Sequence, residues 1–245
     1  MKRNENIELS VVMPYGYESP DFSQAVDLVL DTPGSIELIV VTTKELCDGM
    51  ELTHHPNVRI FRSNEVGRGV FCKIGVQNAK GRVVLFLHAD TYLPENWYSQ
   101  VLKTMTDPNV SLGGFTVVFR TKHWLAGNIS MLYSLWSMVT REFWGDRAMF
   151  MRKDDLLPHL DDLAVLMMED VEMSKFMRTK GKLVLLPDVV STGANHFTIK
   201  GCFTHILQVI YYRILYAFGV SSDWIYQKYY MKIEDDIVAR TGYPN

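Results

Sequence analysis

The sequence predicts an α/β fold: a mixed, mainly parallel sheet flanked by helices. Two features carry that prediction. Over roughly the first ninety residues, apolar segments switch between the strand period of two and the helical period of 3.6, at roughly 25 to 30 residues per strand and helix together. That rhythm implies right-handed crossovers between parallel neighbours. The strand segments are also apolar on both sides, VVLFL at 83–87 most completely, as strands covered on two faces require.

Taken in order, IELSVVMPY (7–15) reads as the first strand and DFSQAVDLVLD (21–31) as a helix with apolar residues at helical spacing. IELIVV (36–41) and NVRIFRS (57–63) are the second and third strands. GVFCKIGVQNAKG (69–81) is a helix ended by Gly81, and RVVLFLHAD (82–90) a fourth strand. Pro94 suits the first turn of the helix that follows. In the second half, LGGFTVVFR (112–120) is a strand, 124–142 a long helix, and AMFMRK (148–153) a short strand after the turn Gly145-Asp146. Glu169 and Asp170 open a helix whose Val171, Met173, Phe176 and Met177 form the buried side, and Gly181 stops it before the strand LVLLP. Residues 203–218, FTHILQVIYYRILYAF, form a further helix. No Pro/Ser-rich linker or repeat divides the chain, so 1–245 reads as one domain: a first lobe to residue 110, a second over 111–200, and C-terminal helices over 201–245.

Composition narrows the function classes. With 245 residues, 47% of them hydrophobic, the chain can bury a sizeable core. A net charge of -3 gives no global attraction to nucleic acid or to an anionic membrane, and no nucleic-acid partner is expected. The three cysteines, Cys47, Cys72 and Cys202, lie far apart and form no CxxC pair, which fits neither a disulfide framework nor a zinc site. With a polar start, MKRNENIELS, and no apolar signal region, the expectation is a cytoplasmic chain. Residues 124–140 are uncharged but interrupted by Gly127, Asn128 and serines, and 203–218 contain His205, Gln208 and Arg213. Neither is expected to span a membrane. Their aromatic residues are compatible with packing on a sheet or with peripheral membrane contact on a cytoplasmic face.

Ligands of open α/β sheets sit beyond the carboxyl ends of the strands, where His88 and Asp90 stand. A side-chain period of two places both on one face. The other reading is that Asp90 begins a turn. Glu169 and Asp170 likewise read either as first-turn carboxylates favoured by the helix dipole or as site residues. The glycines of GRG (67–69) precede a helix whose N-terminus can meet a phosphate. There is no GxGxxG after the first strand, no GxxxxGK[ST], no GxSxG and no HExxH.

In combination, VVMPYGYES, LFLHADT, WGDRAMFMRK and MEDVE, in that order and spacing, resemble the family 2 glycosyltransferases of the GT-A fold. The nearest likeness is to a bacterial branch carrying GR, LFLHADT, GD[QR]..F.R and MEDVELS. The resemblance implies a Rossmann-like nucleotide-diphospho-sugar transferase that moves a sugar to an acceptor hydroxyl with inversion. It implies that Pro14, Glu18, Arg68, His88 and Asp90 face the donor, with Lys73, a departure from the pattern, either adding positive charge near the phosphates or facing water, and that Asp90, in the DxD element with His88 in place of its first Asp, holds Mg2+ or Mn2+. It makes Asp170 the general base, with Glu169 assisting. Asp146 and Arg147, in the GD turn, fall on the acceptor side, and His196 where some relatives supply a further metal ligand. The aromatic helix beside that turn leans toward a partly apolar acceptor, such as a lipid-linked one.

The departures cluster on the nucleotide side. Thr42 stands where most relatives carry an Asp that holds the nucleoside, with Asp48 nearby in sequence. Tyr17 replaces the usual Asn before Glu18, and Phe71 and Lys73 replace a Gln and an Asn. An active transferase with altered donor preference and a non-catalytic binding or scaffold relative are therefore both open. A metal-dependent nucleotide-sugar hydrolase is a third reading, using water as acceptor.

Overall fold

The computed structural model describes residues 7–43, 55–120, 126–193 and 202–229. Its strands form one sheet in the order β3-β2-β1-β4-β7-β6-β8-β5, where β1 is Leu9–Tyr15, β2 Ile36–Thr43, β3 Val58–Ser63 and β4 Val83–Phe86. The others are β5 Thr91–Tyr92, β6 Val110–Arg120, β7 Phe150–Arg152 and β8 Lys182–Gly193. The block β3-β2-β1-β4 is parallel throughout. β7 runs antiparallel to both β4 and β6, β8 parallel to β6, and β5 antiparallel to β8. The sheet is thus mixed and mainly parallel.

Side chains alternate between two cores. Leu9, Val11, Met13, Leu38, Val40 and Leu85 point to one face, against α1 (Phe22–Leu30) and the later helix Trp97–Met105. Val12, Ile39, Val41, Val84 and Phe86 point to the other, against α2 (Arg68–Asn78). In α1 the buried residues Phe22, Ala25, Val26 and Val29 follow the i, i+3, i+4, i+7 stripe that fixes its orientation. Trp97, Val101 and Met105, one turn apart, do the same for the later helix, α3.

The rest of the chain completes the second lobe. Helix α4 (Ala126–Thr140) leads to a 3-10 turn at Gly145–Arg147, and a short helix, α5 (Lys153–Leu156), follows β7. The helix α6 (Glu169–Lys180) precedes β8, and α7 (Cys202–Ala217) is followed by a helical segment over 222–229. Met168, Val171, Tyr212, Ile225 and Tyr229 make a small third core that ties these last segments to the start of α6. Among the described residues, no helix is long and apolar enough to cross a membrane.

Three boundaries differ from the sequence reading by three residues or more. The fourth strand stops at Phe86 rather than Asp90: the amide of Thr91 closes a turn onto the carbonyl of His88 at 3.1 Å. The chain then joins β8 instead, the Asp90 carbonyl accepting from the Gly193 amide at 2.9 Å. His88 and Asp90 therefore do not alternate on one ladder. Helix α2 ends at Asn78, three residues before Gly81, whose amide donates to Ser10 Oγ at 2.8 Å and whose missing side chain leaves room for β1. The strand LVLLP extends to Gly193, passing a bulge where the register jumps from Leu186 to Val189. Pro187, which has no amide to give the ladder, sits in that jump.

Candidate active site

Five side chains that lie up to 102 positions apart in sequence meet at the carboxyl edge of the sheet: Arg68, His88, Asp146, Glu169 and Asp170. Arg68 is the first residue of α2, and the backbone before it is bent in a way only glycine tolerates, with Gly67 at φ +121°. Gly69 lets the helix start lie directly on the carbonyls of Leu163 and Val165, where any side chain would collide. The amide of Arg68 adds a hydrogen bond to Leu166 O at 3.3 Å. These contacts aim the Arg68 side chain at the start of α6.

There its guanidinium reaches three side chains of the site. Nε donates to Glu169 Oε1, one terminal nitrogen lies 3.4 Å from Asp170 Oδ2, and the other 3.4 Å from His88 Nε2. Glu169 is 2% exposed, and its second oxygen, Oε2, has no hydrogen-bond partner. Burial raises the Glu169 pKa above its ordinary value, against the pull of Arg68. Asp170 is better served: Oδ1 accepts from the Val171 amide and Oδ2 from the Gly145 amide, both at 2.8 Å. The helix is not capped by a side chain, its N-cap residue being Met168 at φ 73°. Asp170 thus links the start of α6 to the GD turn.

The GD turn supplies the partner of the histidine. His88 Nδ1 lies 3.2 Å from Asp146 Oδ1. Burial works to raise the Asp146 pKa, but the hydrogen bond and charge of His88, with Arg68 and Arg147 nearby, push it down to about 2. Burial would likewise lower the His88 pKa, yet Asp146 raises it above its ordinary value. Tyr133 of α4 reaches the other Asp146 oxygen at 3.4 Å, and its ring meets Trp144 edge-on with centroids 4.8 Å apart. Arg147 is 0% exposed. It donates to Ser137 Oγ, Phe115 O and Tyr133 O at 3.2, 3.1 and 3.0 Å, and its guanidinium lies over the Tyr133 ring. It locks the turn against α4 and β6.

Asp90 stands apart from this cluster, on the strand end shared with β8. Its carbonyl is held by Arg120 at 2.7 Å, and Gly193 has no side chain because the Asp90 carboxylate occupies that space. Oδ1 lies 3.4 Å from the hydroxyls of Thr91 and Thr192. Arg120 also pairs with Asp21 at 2.9 Å and covers the Tyr92 ring. Among the described residues no group of three His, Cys, Asp or Glu side chains converges as a metal cage. A single carboxylate with only long contacts nevertheless fits Mg2+ or Mn2+, hard cations that take one or two carboxylates and draw their other oxygens from phosphates and water. Both nitrogens of His88 face other side chains.

The remaining expected residues are scattered. Pro14 is half-buried in β1, beside Val41, and Glu18 is exposed in the following loop. Lys73 pairs with Asp161 at 2.7 Å on the surface, away from the Arg68 side of α2. Thr42, in register with Tyr15 and Arg62, is fully buried with an unpartnered hydroxyl. His196 and Asp48, and the first two residues of the expected helix 124–142, lie outside the described residues. The sequence reading missed Arg120, Tyr133 and Thr192, which carry no motif; only Arg120, a cation closing an apolar strand, left a trace in the pattern.

A model of the family described as glycosyl transferase family 2 matches residues 10–168. No protein among the curated ones matches the sequence. Among solved structures, residues 1–349 of S. aureus TarS superpose with a TM-score of 0.58 at 13% identity, covering 96% of this chain and 73% of that one. A longer S. aureus TarS structure gives the same score and identity over 85% of this chain and 40% of its own. GalNAc-T7 with UDP, GalNAc and Mn2+ has a TM-score of 0.58 at 16% identity, over 78% of this chain and 44% of that one. These neighbours are GT-A glycosyltransferases, and at such identities the likeness establishes a shared fold.

Proposed function

Because the chain belongs to glycosyl transferase family 2, we propose that it moves a sugar, with inversion, from a nucleoside-diphosphate donor to an acceptor hydroxyl. The observation that carries this reading is Asp170, a carboxylate fixed by two amides and an arginine beside the turn that bears Asp146. In that position it takes the proton of an acceptor hydroxyl as the oxygen attacks the anomeric carbon from the face opposite the diphosphate. The C–O bond to the diphosphate breaks as the new one forms. A positioned base contributes about 100- to 10,000-fold. Arg68 offers N–H groups to the departing diphosphate, with His88 Nε2 beside it. Asp90 would hold Mg2+ or Mn2+, which supplies Lewis-acid stabilisation of the phosphate oxygens.

The acceptor side supports a finer proposal. Leu135, Trp136, Met138 and Val139 are exposed on α4, the helix locked to the GD turn, Tyr211 and Ile214 are exposed on α7, and Phe218 is exposed just past its end. An apolar surface of this kind beside the acceptor turn favours a partly apolar acceptor, such as a lipid-linked one, and peripheral contact of this face with a membrane on the cytoplasmic side. Trp136→Ala is expected to impair transfer to a lipid-linked acceptor more than to a soluble one; equal effects would refute this extension.

The central test is calorimetric titration with a panel of nucleoside diphosphates and nucleotide sugars, with and without manganese. Wild type is expected to bind one nucleotide in a metal-dependent way and Asp90→Ala to lose that dependence. Asp170→Asn should keep donor binding while turnover falls about 100-fold or more. Absence of binding to every nucleotide would overturn the transferase in favour of the scaffold reading, which rests on Thr42 at the nucleoside position.

A further inference from the structure

Glu169 is an expensive residue to keep. Among the described residues its carboxylate has one ion-pair partner, Arg68, and its second oxygen is buried with none. A buried charge left with a single counter-ion depends on that counter-ion entirely. Yet Arg68 is one-third exposed, is shared with Asp170 and His88, and begins a helix at the sheet edge where a diphosphate is expected. A diphosphate carries more charge than either carboxylate and offers the paired oxygens that a guanidinium grips best.

We propose that Arg68 serves two anions in turn: it clamps Glu169 and Asp170 in the empty site, and an incoming donor diphosphate draws it away, freeing Asp170 to act as base only once the donor is bound. This rests on the transferase reading above and adds an order to it. With Arg68 on the carboxylates, Asp170 Oδ2 is occupied by the guanidinium and the Gly145 amide together. With Arg68 gone, the oxygen keeps the amide and gains a free lone pair. Among the described residues Glu169 then has no cation left in contact. The other groups around it are Cys72 on α2, Asp170 beside it on α6, and His88 and Asp146 beyond the guanidinium. None of the carboxylates among them stabilises its charge, so Glu169 takes a proton from solvent as the diphosphate enters. Arg68 is thereby a positioning residue for the base, and Glu169 a proton-storing spacer that keeps the arginine in place until the donor arrives.

The proton is the readout, because a merely structural Arg68 would not move it. Uridine diphosphate and guanosine diphosphate, each with magnesium, are titrated calorimetrically near neutral pH in buffers of differing ionisation enthalpy. For whichever binds, wild type is expected to take up as much as about one proton per nucleotide. Glu169→Gln, which keeps the shape and removes the charge, should bind the same nucleotide several-fold more tightly with the uptake gone. Arg68→Gln should bind about 10- to 100-fold more weakly, also without uptake, since Glu169 is already protonated in it. Nucleotide binding by wild type without proton uptake, or undiminished uptake in Glu169→Gln, overturns the proposal and leaves the transferase reading intact. No binding of any nucleotide overturns both.

Discussion

Gly145→Ala tests the geometry of the site without removing a functional group. Position 145 does not need glycine's backbone freedom, but an alanine methyl there would stand 2.6 Å from His88 Nε2 and 2.9 Å from its Cε1. The ring must retreat from 2.6 Å to the 3.4 Å of ordinary contact, about 0.8 Å. It is not free to do so. Nδ1 is held by Asp146 at 3.2 Å, Nε2 faces Arg68 at 3.4 Å, and the side chain is 17% exposed. A hydrogen bond to a charged group is worth about 1.5–3 kcal/mol and overpacking costs about 1–3 kcal/mol. One displacement relieves the second at the expense of the first, so the expected loss is about 2–3 kcal/mol rather than the sum. For a chain of this size that lowers Tm by about 4–12 °C. The decisive assay is a double-mutant cycle with His88→Ala, measured by thermal and urea unfolding. Once the ring is gone, the next atom the methyl meets is an Arg68 terminal nitrogen at 3.7 Å, an ordinary contact. The cost of Gly145→Ala should then fall to about 0.5 kcal/mol or less. The same cost in both backgrounds would refute the packing of His88 between the turn and Arg68.

Thr42→Val should stabilise the protein by about 1 kcal/mol, because it replaces a fully buried, unpartnered hydroxyl with a methyl of equal size; a fall in Tm would contradict that. Asp146→Asn should be less stable than wild type at mildly acidic and neutral pH. The Asp146 pKa is lowered from 3.8 to about 2 in the folded chain, so its contribution is present in full above the unfolded value and is lost as pH falls through that window. Denaturant unfolding at several pH values should show the gap between variant and wild type closing there, and a gap independent of pH would count against the His88–Asp146 pair. Arg147→Lys keeps the charge but cannot serve Ser137, Phe115 and Tyr133 from one planar fork, and should cost about 2 kcal/mol or more; a Tm within a degree of wild type would argue against that role.

How much of this was legible in the sequence follows from the range of the interactions involved. The block β3-β2-β1-β4 announces itself because each strand is apolar on both faces and each helix carries a stripe, both local properties. The three-residue strand β7 was readable as a strand, but its insertion between β4 and β6 was not, since the pairing depends on residues far along the chain. His88 and Asp90 looked alike in the pattern because period two assumes that a strand continues. What ends it is Arg120 and Gly193 seizing the Asp90 carbonyl, partners 30 and more residues away. The same holds for the bland reading of Glu169 and Asp170 as first-turn acids. That reading describes their place on α6, and what distinguishes them is an arginine a hundred residues earlier.

The charges assembled at the sheet edge explain why such a site needs more than its own side chains to hold a diphosphate. Asp90, Asp146, Glu169 and Asp170 face two nearby arginines, Arg68 and Arg147, and Arg147 is fully buried behind the turn with its donors committed to Ser137 and two carbonyls. Arg120, the other cation at Asp90, is matched by Asp21. Among the described residues, the charges around such a diphosphate sum to a net negative value even when His88 is protonated beside Asp146. Under the proposals above, two changes would reverse the balance: a divalent cation accepted by Asp90, and a proton accepted by Glu169 as Arg68 turns outward. The first is available to any phosphate-binding site with a spare carboxylate. The second is specific to an arginine whose other partner is a buried acid, and on the proposal above it would make the donor itself the agent that prepares the base.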